Sequence, residues 1–276
     1  MKILFLGGNR YFGKRIVDLL SKNNKNQIFL INRGNIKNLN KKNIFLLKTN
    51  RSNLNKFKYF FEKNYFDIVF DNIAYNLNDV KKLIKIINNN YNTYFFTSTM
   101  MTKILENTNS KILSKNYTKE ELNYGRNKLR IEKFLKDKKI KNYRIIRPHS
   151  VFGINDFSGK TEDTIYTSKL DIERFNIKNN DKLQFIYEED LIKIIYKLIL
   201  NYKDLKFKIL EIANNYILFK NFKKILIKSK KKNNKKKFPF PINLITSKNK
   251  NIRKIISFNL TNVNMVVKKV SKQFKI

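Results

Sequence analysis

The sequence predicts an α/β fold: a doubly wound parallel sheet followed by a small α/β region. Three observations point there. Short strand-like runs alternate with helix-spaced apolar patterns through the first half; a glycine-rich turn joins the first run to the first helix; and the order of elements changes after Gly153. The strands expected in the first half are KILFL (2–6), QIFLI (27–31), IFLLK (44–48), IVFD (68–71), TYFFTS (93–98) and YRIIR (143–147). Between them, residues 14–22, 52–62 and 78–88 carry apolar positions at helical spacing, with Val80, Leu83, Ile84 and Ile87 on one face. A longer helix is expected over 117–138, its course marked by Leu122, Leu129, Glu132 and Leu135.

Beyond Gly153 a loop (154–163) precedes a strand (QFIY, 184–187) and a helix (190–200). Another strand (KILEIA, 208–213) and a helix near 219–228 follow; the tail adds a PFP turn (239–241) and helical patterns near 249–256 and 262–272. The division expected is a nucleotide-binding domain over 1–150 and a smaller substrate-binding region over 151–276, interleaved with it.

Composition sets the outer limits. A chain of 276 residues that is 42% apolar can bury a core. No apolar run approaches the roughly 18–20 residues that span a bilayer. The first strand-like run starts at Lys2, which leaves no room for a signal or transit peptide, so a cytoplasmic protein without membrane contact is expected. No cysteine and a single histidine exclude disulfides, cysteine metal sites and a histidine cluster; no metal centre is expected. Sixty Lys and Arg against 21 Asp and Glu give a net charge of +39. Such an excess attracts nucleic acid. The cations are dispersed over helices, loops and tail, however, and only KSKKKNNKKK (228–237) is a true basic block. Weak, non-specific nucleic-acid binding is the expectation from that surface.

GGNRYFGKR (7–15) stands between the first strand and the first helix. In such a turn one glycine makes the bend, another admits a pyrophosphate and the last lets helix and strand pack closely. The phosphates then rest on N–H groups of the helix start. Gly7, Gly8 and Gly13 are in place, with Asn9, Tyr11 and Phe12 among them, and Arg10 takes the middle-glycine position. A guanidinium there can reach a phosphate. After the second strand, Asn32-Arg33-Gly34 offers no carboxylate to a ribose 2′-hydroxyl and an arginine to a 2′-phosphate. Arg10 and Arg33 together favour NADP(H) over NAD(H).

YGRNK (124–128) sets Tyr124 and Lys128 four residues apart, on one helix face. With GGNRYFGKR, NRG (32–34), KTNRSN (48–53), FDIVFDNIAYNLNDV (66–80), YFFTSTM (94–100), RPHSVFG (147–153) and FIYEEDL (185–191), the chain resembles an extended or atypical short-chain dehydrogenase/reductase, of the NAD-dependent epimerase/dehydratase family. Within that family it looks most like the subgroup with a GGTRFxG loop, which also includes chloroplast stem-loop RNA-binding proteins. The resemblance implies a Rossmann-type fold and an oxidoreductase acting on a carbonyl or hydroxyl substrate, such as a nucleotide sugar or similar small metabolite.

It also implies roles. Tyr124 would be the general acid/base, with Lys128 lowering its pKa and holding the nicotinamide ribose. Thr99 would orient the substrate oxygen, with Ser98 the competing assignment. Asn72, Ile73 and Ala74 would flank the cofactor after the fourth strand, Asn50 and Arg51 would lie near the adenine, and Pro148, Ser150 and Val151 would meet the nicotinamide. The lone His149 is expected to pack a loop. Asn50 stands where the family usually has an acid, and Met100 and Met101 where small residues are common. Two other functions are carried along: an RNA-binding protein on a reductase fold, and a non-catalytic NADP(H) sensor. Homodimerisation is left open.

Overall fold

The structure is a computed structural model that describes residues 1–34, 41–109, 117–138, 140, 142–156, 158–170, 177–226, 239–240 and 256–274. The basic block at 228–237 and nearly all of the 249–256 pattern lie outside the described residues. The chain divides into two units. The first comprises Met1–Thr102, Glu120–Arg147 and Ile192–Leu210; the second comprises Lys103–Lys119, Pro148–Leu191 and Glu211–Ile276.

Strands β1 (Lys2–Leu6), β2 (Gln27–Asn32), β3 (Ile44–Lys48), β4 (Phe66–Asp71), β5 (Tyr91–Thr97) and β6 (Tyr143–Pro148) form the expected parallel sheet. The order is β10-β6-β5-β4-β1-β2-β3, with β10 (Ile209–Ile212) as the seventh strand. The order reverses direction beside β1, and a reversal of this kind opens a crevice at the carboxyl ends of the strands. Helices α1 (Tyr11–Leu20), α3 (Leu77–Ile87) and α5 (Lys119–Asp137) connect strands of this sheet, and α2 (Lys58–Glu62) precedes β4. Leu4 and Leu6 of β1, Val80, Leu83 and Ile87 of α3, and Ile131 and Leu135 of α5 share one buried apolar cluster. Helix α3 is well bounded. The Asn76 side chain accepts from Asp79 N–H at 3.0 Å, and Asn88 ends the helix in the left-handed region at φ 42°.

The second unit has a core of its own. Phe152 stacks on Phe185 at 4.6 Å, with Phe222 and Phe240 edge-on to Phe152. Its elements are α4 (Met101–Asn107, which begins in the first unit), β7 (Val151–Phe152), α6 (Lys160–Leu170), β8 (Lys182–Leu183), β9 (Ile186–Tyr187), β11 (Ile217–Leu218), α8 (Phe219–Ile225) and α9 (Val263–Gln273), with α7 (Glu188–Leu200) running on into the first unit. Asp190 ties the unit's C-terminal segment down. It accepts from Thr261 N–H at 2.9 Å, Thr261 Oγ1 at 2.8 Å and Asn214 Nδ2 at 2.9 Å.

Several elements differ from expectation: α4, β7 and β11 had no counterpart in it, and four others are shifted or replaced. Helix α1 begins at Tyr11 rather than 14, because Lys14 N–H already closes a helical bond onto Arg10 O. The 52–62 helix is a 3₁₀ turn (Arg51–Phe57) kinked at Asn53, followed by the short α2. Of QFIY only Ile186–Tyr187 is strand, as β9; the short β8 precedes it at Lys182–Leu183. Helix α6 occupies a stretch read as a loop. Its inward residues Thr161, Thr164 and Ser168 are fully buried hydroxyls, two of them returning hydrogen bonds to carbonyls four residues earlier. Ile165 and Tyr166 are buried beside them but adjacent in sequence, so no helical apolar period is left to read.

The shared cluster makes one stability prediction. Leu83→Ala removes a fully buried side chain from α3 and should cost about 2–5 kcal/mol, read as a lowered urea midpoint with an unchanged slope.

Candidate functional site

The glycine turn lies at the carboxyl end of β1. Gly7 has φ +88°, and a Cβ there would collide with Ile73 Cγ2. At Gly13 a Cβ would collide with the Gly7 carbonyl oxygen and come within 3.1 Å of Asn72 Nδ2. These two glycines let α1 press onto the turn. Arg10 is different: φ −136° and ψ 158° are extended backbone, which any residue adopts, so this position has no need of glycine. Its side chain is exposed and makes no capping bond to α1. Tyr11 follows at φ 52°, a left-handed conformation that is costly for an aromatic residue. Asn72 Oδ1 is buried with no hydrogen-bond partner. A helix start without a side-chain cap, three glycines where a Cβ would clash (Gly7, Gly8 and Gly13) and an orphaned acceptor fit a dinucleotide pyrophosphate and its ribose.

The neighbouring strand ends divide the other expected contacts. Asn32 Oδ1 accepts from Gly34 N–H at 2.7 Å, while its buried Nδ2 has no partner and Arg33 is exposed. Asn50 caps the 3₁₀ turn by accepting from Ser52 N–H at 3.3 Å. Arg51 departs from the expectation of a cofactor contact. It is buried and grips Asp71 with two bonds of 2.6 and 2.5 Å, and Tyr94 OH donates to the same carboxylate at 2.7 Å. Burial works to lower the Arg51 pKa, but the Asp71 charge and hydrogen bonds overcome it and raise it. Burial and Asp71 hold the Tyr94 hydroxyl well above its ordinary value. Asn72, Ile73 and Ala74 follow directly, and Ile73 N–H points at Asp71 Oδ1 at 3.4 Å.

Helix α5 carries Tyr124 and Lys128 one turn apart. Lys128 is 1% exposed; its Nζ donates to Thr97 O at 2.7 Å and lies 4.9 to 5.6 Å from the ring centroids of Phe96, Tyr75 and Tyr124. Burial pulls its pKa down to about 7, against a raising effect from Asp71 and Glu132 and with a further lowering by Arg51. Tyr124 keeps 39% exposure, and its hydroxyl is raised above the ordinary value by burial and by the neighbouring Tyr75. The direction is opposite to the lowering expected from the sequence. The ammonium is spent on a carbonyl, and loss of solvation at the phenol prevails.

Of the two candidate hydroxyls, Ser98 is 1% exposed and donates to Glu132 Oε1 at 2.5 Å. Thr99 is partly exposed and its Oγ1 accepts from Met101 N–H at 3.3 Å, which leaves its hydroxyl proton for a substrate. Glu132 and Asp71 were absent from the sequence reading of the site. The available signal for Glu132 was an acid on the inward face of α5, four residues after Lys128.

Pro148, Ser150 and Val151 belong to the second unit. Buried His149 donates its N–H to Ile212 O and accepts from Ser150 N–H at Nδ1, both at 2.8 Å. Ser150 O receives Ile186 N–H at 3.0 Å and Val151 pairs with Ile186 in the β7–β9 ladder. These bonds fix the backbone after β6.

No family model and no curated protein sequence matches the chain. Solved structures resemble it along its whole length. The UDP-glucuronic acid 4-epimerase of Bacillus cereus, in complex with NAD and a fluorinated UDP-glucuronic acid, aligns at a TM-score of 0.70 and 14% identity over 99% of this chain and 98% of that one. The UDP-Glc/GlcNAc 4-epimerase of Campylobacter jejuni aligns at 0.70 and 16% identity, with the same coverage. A dTDP-glucose 4,6-dehydratase of Bacillus anthracis, in complex with NAD, aligns at 0.64 and 12% over 99% and 96%. The fold is therefore the Rossmann-type α/β fold of these sugar-nucleotide enzymes. Among the described residues no helix is long and apolar enough to cross a membrane, and no group of His, Cys, Asp and Glu could hold a metal ion.

The lysine's environment predicts a pH dependence of stability. Its folded pKa of about 7 lies below the ordinary 10.5, so between these values the unfolded chain binds more protons and stability rises with pH. Lys128→Met should flatten that rise, measured as urea stability at pH 7 and at pH 10.

Proposed function

We propose that this chain is a nicotinamide-dinucleotide-dependent enzyme of the short-chain dehydrogenase/reductase type that acts on a nucleotide-sugar-like carbonyl or hydroxyl. The observation that carries the reading is the buried, low-pKa Lys128 one turn from a partly exposed Tyr124, on the helix that follows β5. The glycine turn at the end of β1 supports it, and so does the fold shared with epimerases and a dehydratase whose structures hold NAD.

When bound, the dinucleotide supplies a hydride donor and acceptor. Gly7, Gly8, Asn9, Arg10, Tyr11, Phe12 and Gly13 would line its pyrophosphate, Asn72 Oδ1 would take a donor from it, and Lys128 would reach its ribose. Thr99 orients the substrate oxygen through its hydroxyl. Tyr124, a neutral phenol at pH 7, gives its proton to that oxygen as the carbonyl carbon is reduced, and Lys128 stabilises the phenolate left behind. The same raised phenol makes proton removal from an alcohol the harder direction. Tyr124→Phe should lower turnover at least 10²-fold with little change in cofactor affinity. Steady-state rates with NAD(P)H and keto-sugar nucleotides, and with NAD(P)+ and the parent UDP-sugars, beside a cofactor titration, test this; unchanged turnover rejects Tyr124 as the acid.

Exposed Arg10 and Arg33, with Asn32 in place of an acid, support NADP(H) over NAD(H). NADPH should bind more tightly than NADH by fluorescence titration, and changing both arginines to Ala should erase the difference. Equal affinities for the unmodified protein would overturn the preference and make the NAD of the structural relatives the better guide.

A second reading rests on the charge of +39. Nucleic acid held by dispersed cations should bind weakly, without sequence preference, and dissociate near physiological salt. A salt titration with a structured RNA and a scrambled control decides it. Nanomolar binding to one RNA at physiological salt would make the RNA role primary.

A further inference from the structure

Helix α5 holds the segment after β5 at three points. Lys128 Nζ binds Thr97 O at 2.7 Å, and one turn further Glu132 Oε1 receives Ser98 Oγ at 2.5 Å and lies 3.3 Å from Thr102 Oγ1. Thr102 Oγ1 also sits 2.8 Å from the Thr99 carbonyl. Thr99 is thus bracketed by two hydroxyls that meet one carboxylate oxygen. The carboxylate is itself fixed from β6. Arg147 Nε reaches Oε1 at 2.9 Å, and its Nη2 reaches Oε2 at 2.5 Å. Glu132 is fully buried, Ser98 is 1% exposed and Thr102 0%. A carboxylate so enclosed is costly unless every lone pair is used, and here the partners are chosen from both sides of Thr99.

We propose that Glu132 is the positioning residue of the site, setting Thr99 against the Tyr124–Lys128 face through Ser98 and Thr102, with Arg147 holding the carboxylate in register. The inference rests on the reading of Thr99, Tyr124 and Lys128 as the working groups. Arg147 alone neutralises the charge; the two hydroxyls use the remaining lone pairs, and because both come from residues 98–102 they also tie that segment to α5 on either side of Thr99. Glu132 also faces Lys128 along the helix and favours its protonated form, alongside Asp71 from β4 and against Arg51 from the 3₁₀ turn.

The test separates position from fold. In Thr-methyl-labelled protein, Ser98→Ala with Thr102→Val should lower the order parameter of the Thr99 methyl, while Thr102→Ser, which keeps the hydroxyl, should hold it at the unmodified value. Glu132→Gln should move the Lys128 ε-carbon titration below its midpoint near 7, with the resonance identified by its loss in Lys128→Arg. Because Glu132→Gln strands the Arg147 charge in the interior, Glu132→Gln with Arg147→Met is measured beside it; the direction should be the same. With NAD(P)+ and UDP-N-acetylglucosamine as probe, the Ser98/Thr102 double variant should lose about 10-fold or more in kcat with KM for the probe little changed. An unmoved Thr99 methyl and an unmoved Lys128 midpoint overturn the proposal. Failure of the unmodified protein to bind NAD(P)H would instead reject the functional reading, and the two spectroscopic signals would still decide what Glu132 positions.

Discussion

Charge buried at the carboxyl ends of the parallel strands is the constraint on which the site depends. Asp71 ends β4 and is matched by Arg51; Glu132 meets the segment after β5 and is matched by Arg147 from β6. Each pair is bidentate, and each carboxylate takes at least one further hydrogen bond from a hydroxyl. Breaking a pair at this depth leaves an uncompensated ion, at a cost of about 3–5 kcal/mol. Lys128 lies near both carboxylates and is itself unpaired by either; burial lowers its pKa, and the pull of Asp71 and Glu132 offsets that only in part.

The catalytic geometry is then a by-product of closing these charges. The loop after β4 begins at Asp71, so fixing the carboxylate fixes Asn72 and Ile73, the residues that press on the glycine turn. The segment after β5 begins at Thr97, whose carbonyl is taken by Lys128. Two strand ends and one helix are locked by side chains buried in the interior, Asp71, Arg51, Glu132 and Arg147 among them.

Strands β1 to β6 were legible because each is a short run of large apolar residues between polar turns, and the sheet buries all but the edge strand β3: Ile3, Leu4, Phe5 and Leu6 are fully covered. The glycine turn and the Tyr124–Lys128 pair were legible through spacing, which a helix or a tight turn converts directly into position. Arg51 was misread because a sequence does not say where a long side chain ends, and this one ends inward on a carboxylate twenty positions away. Glu132 escaped for the opposite reason: a charged residue on a helix is ordinarily solvated, and only the tertiary partners Ser98 and Arg147 show that it is buried. Helix α6 was missed because three of its buried residues, Thr161, Thr164 and Ser168, count as polar in any apolar period, and the buried Ile165 and Tyr166 stand side by side.

The extended backbone at Arg10 has a wider consequence. A glycine motif is usually taken as indivisible, yet in this turn the positions where a Cβ would clash are Gly7, Gly8 and Gly13, while Arg10 between them is ordinary extended backbone. Shape and charge are therefore independent variables in the loop. The bend can be kept while position 10 is exchanged among neutral, basic and acidic residues, which lets a lineage retune the electrostatics over a bound phosphate in single mutational steps without passing through an unfolded intermediate sequence.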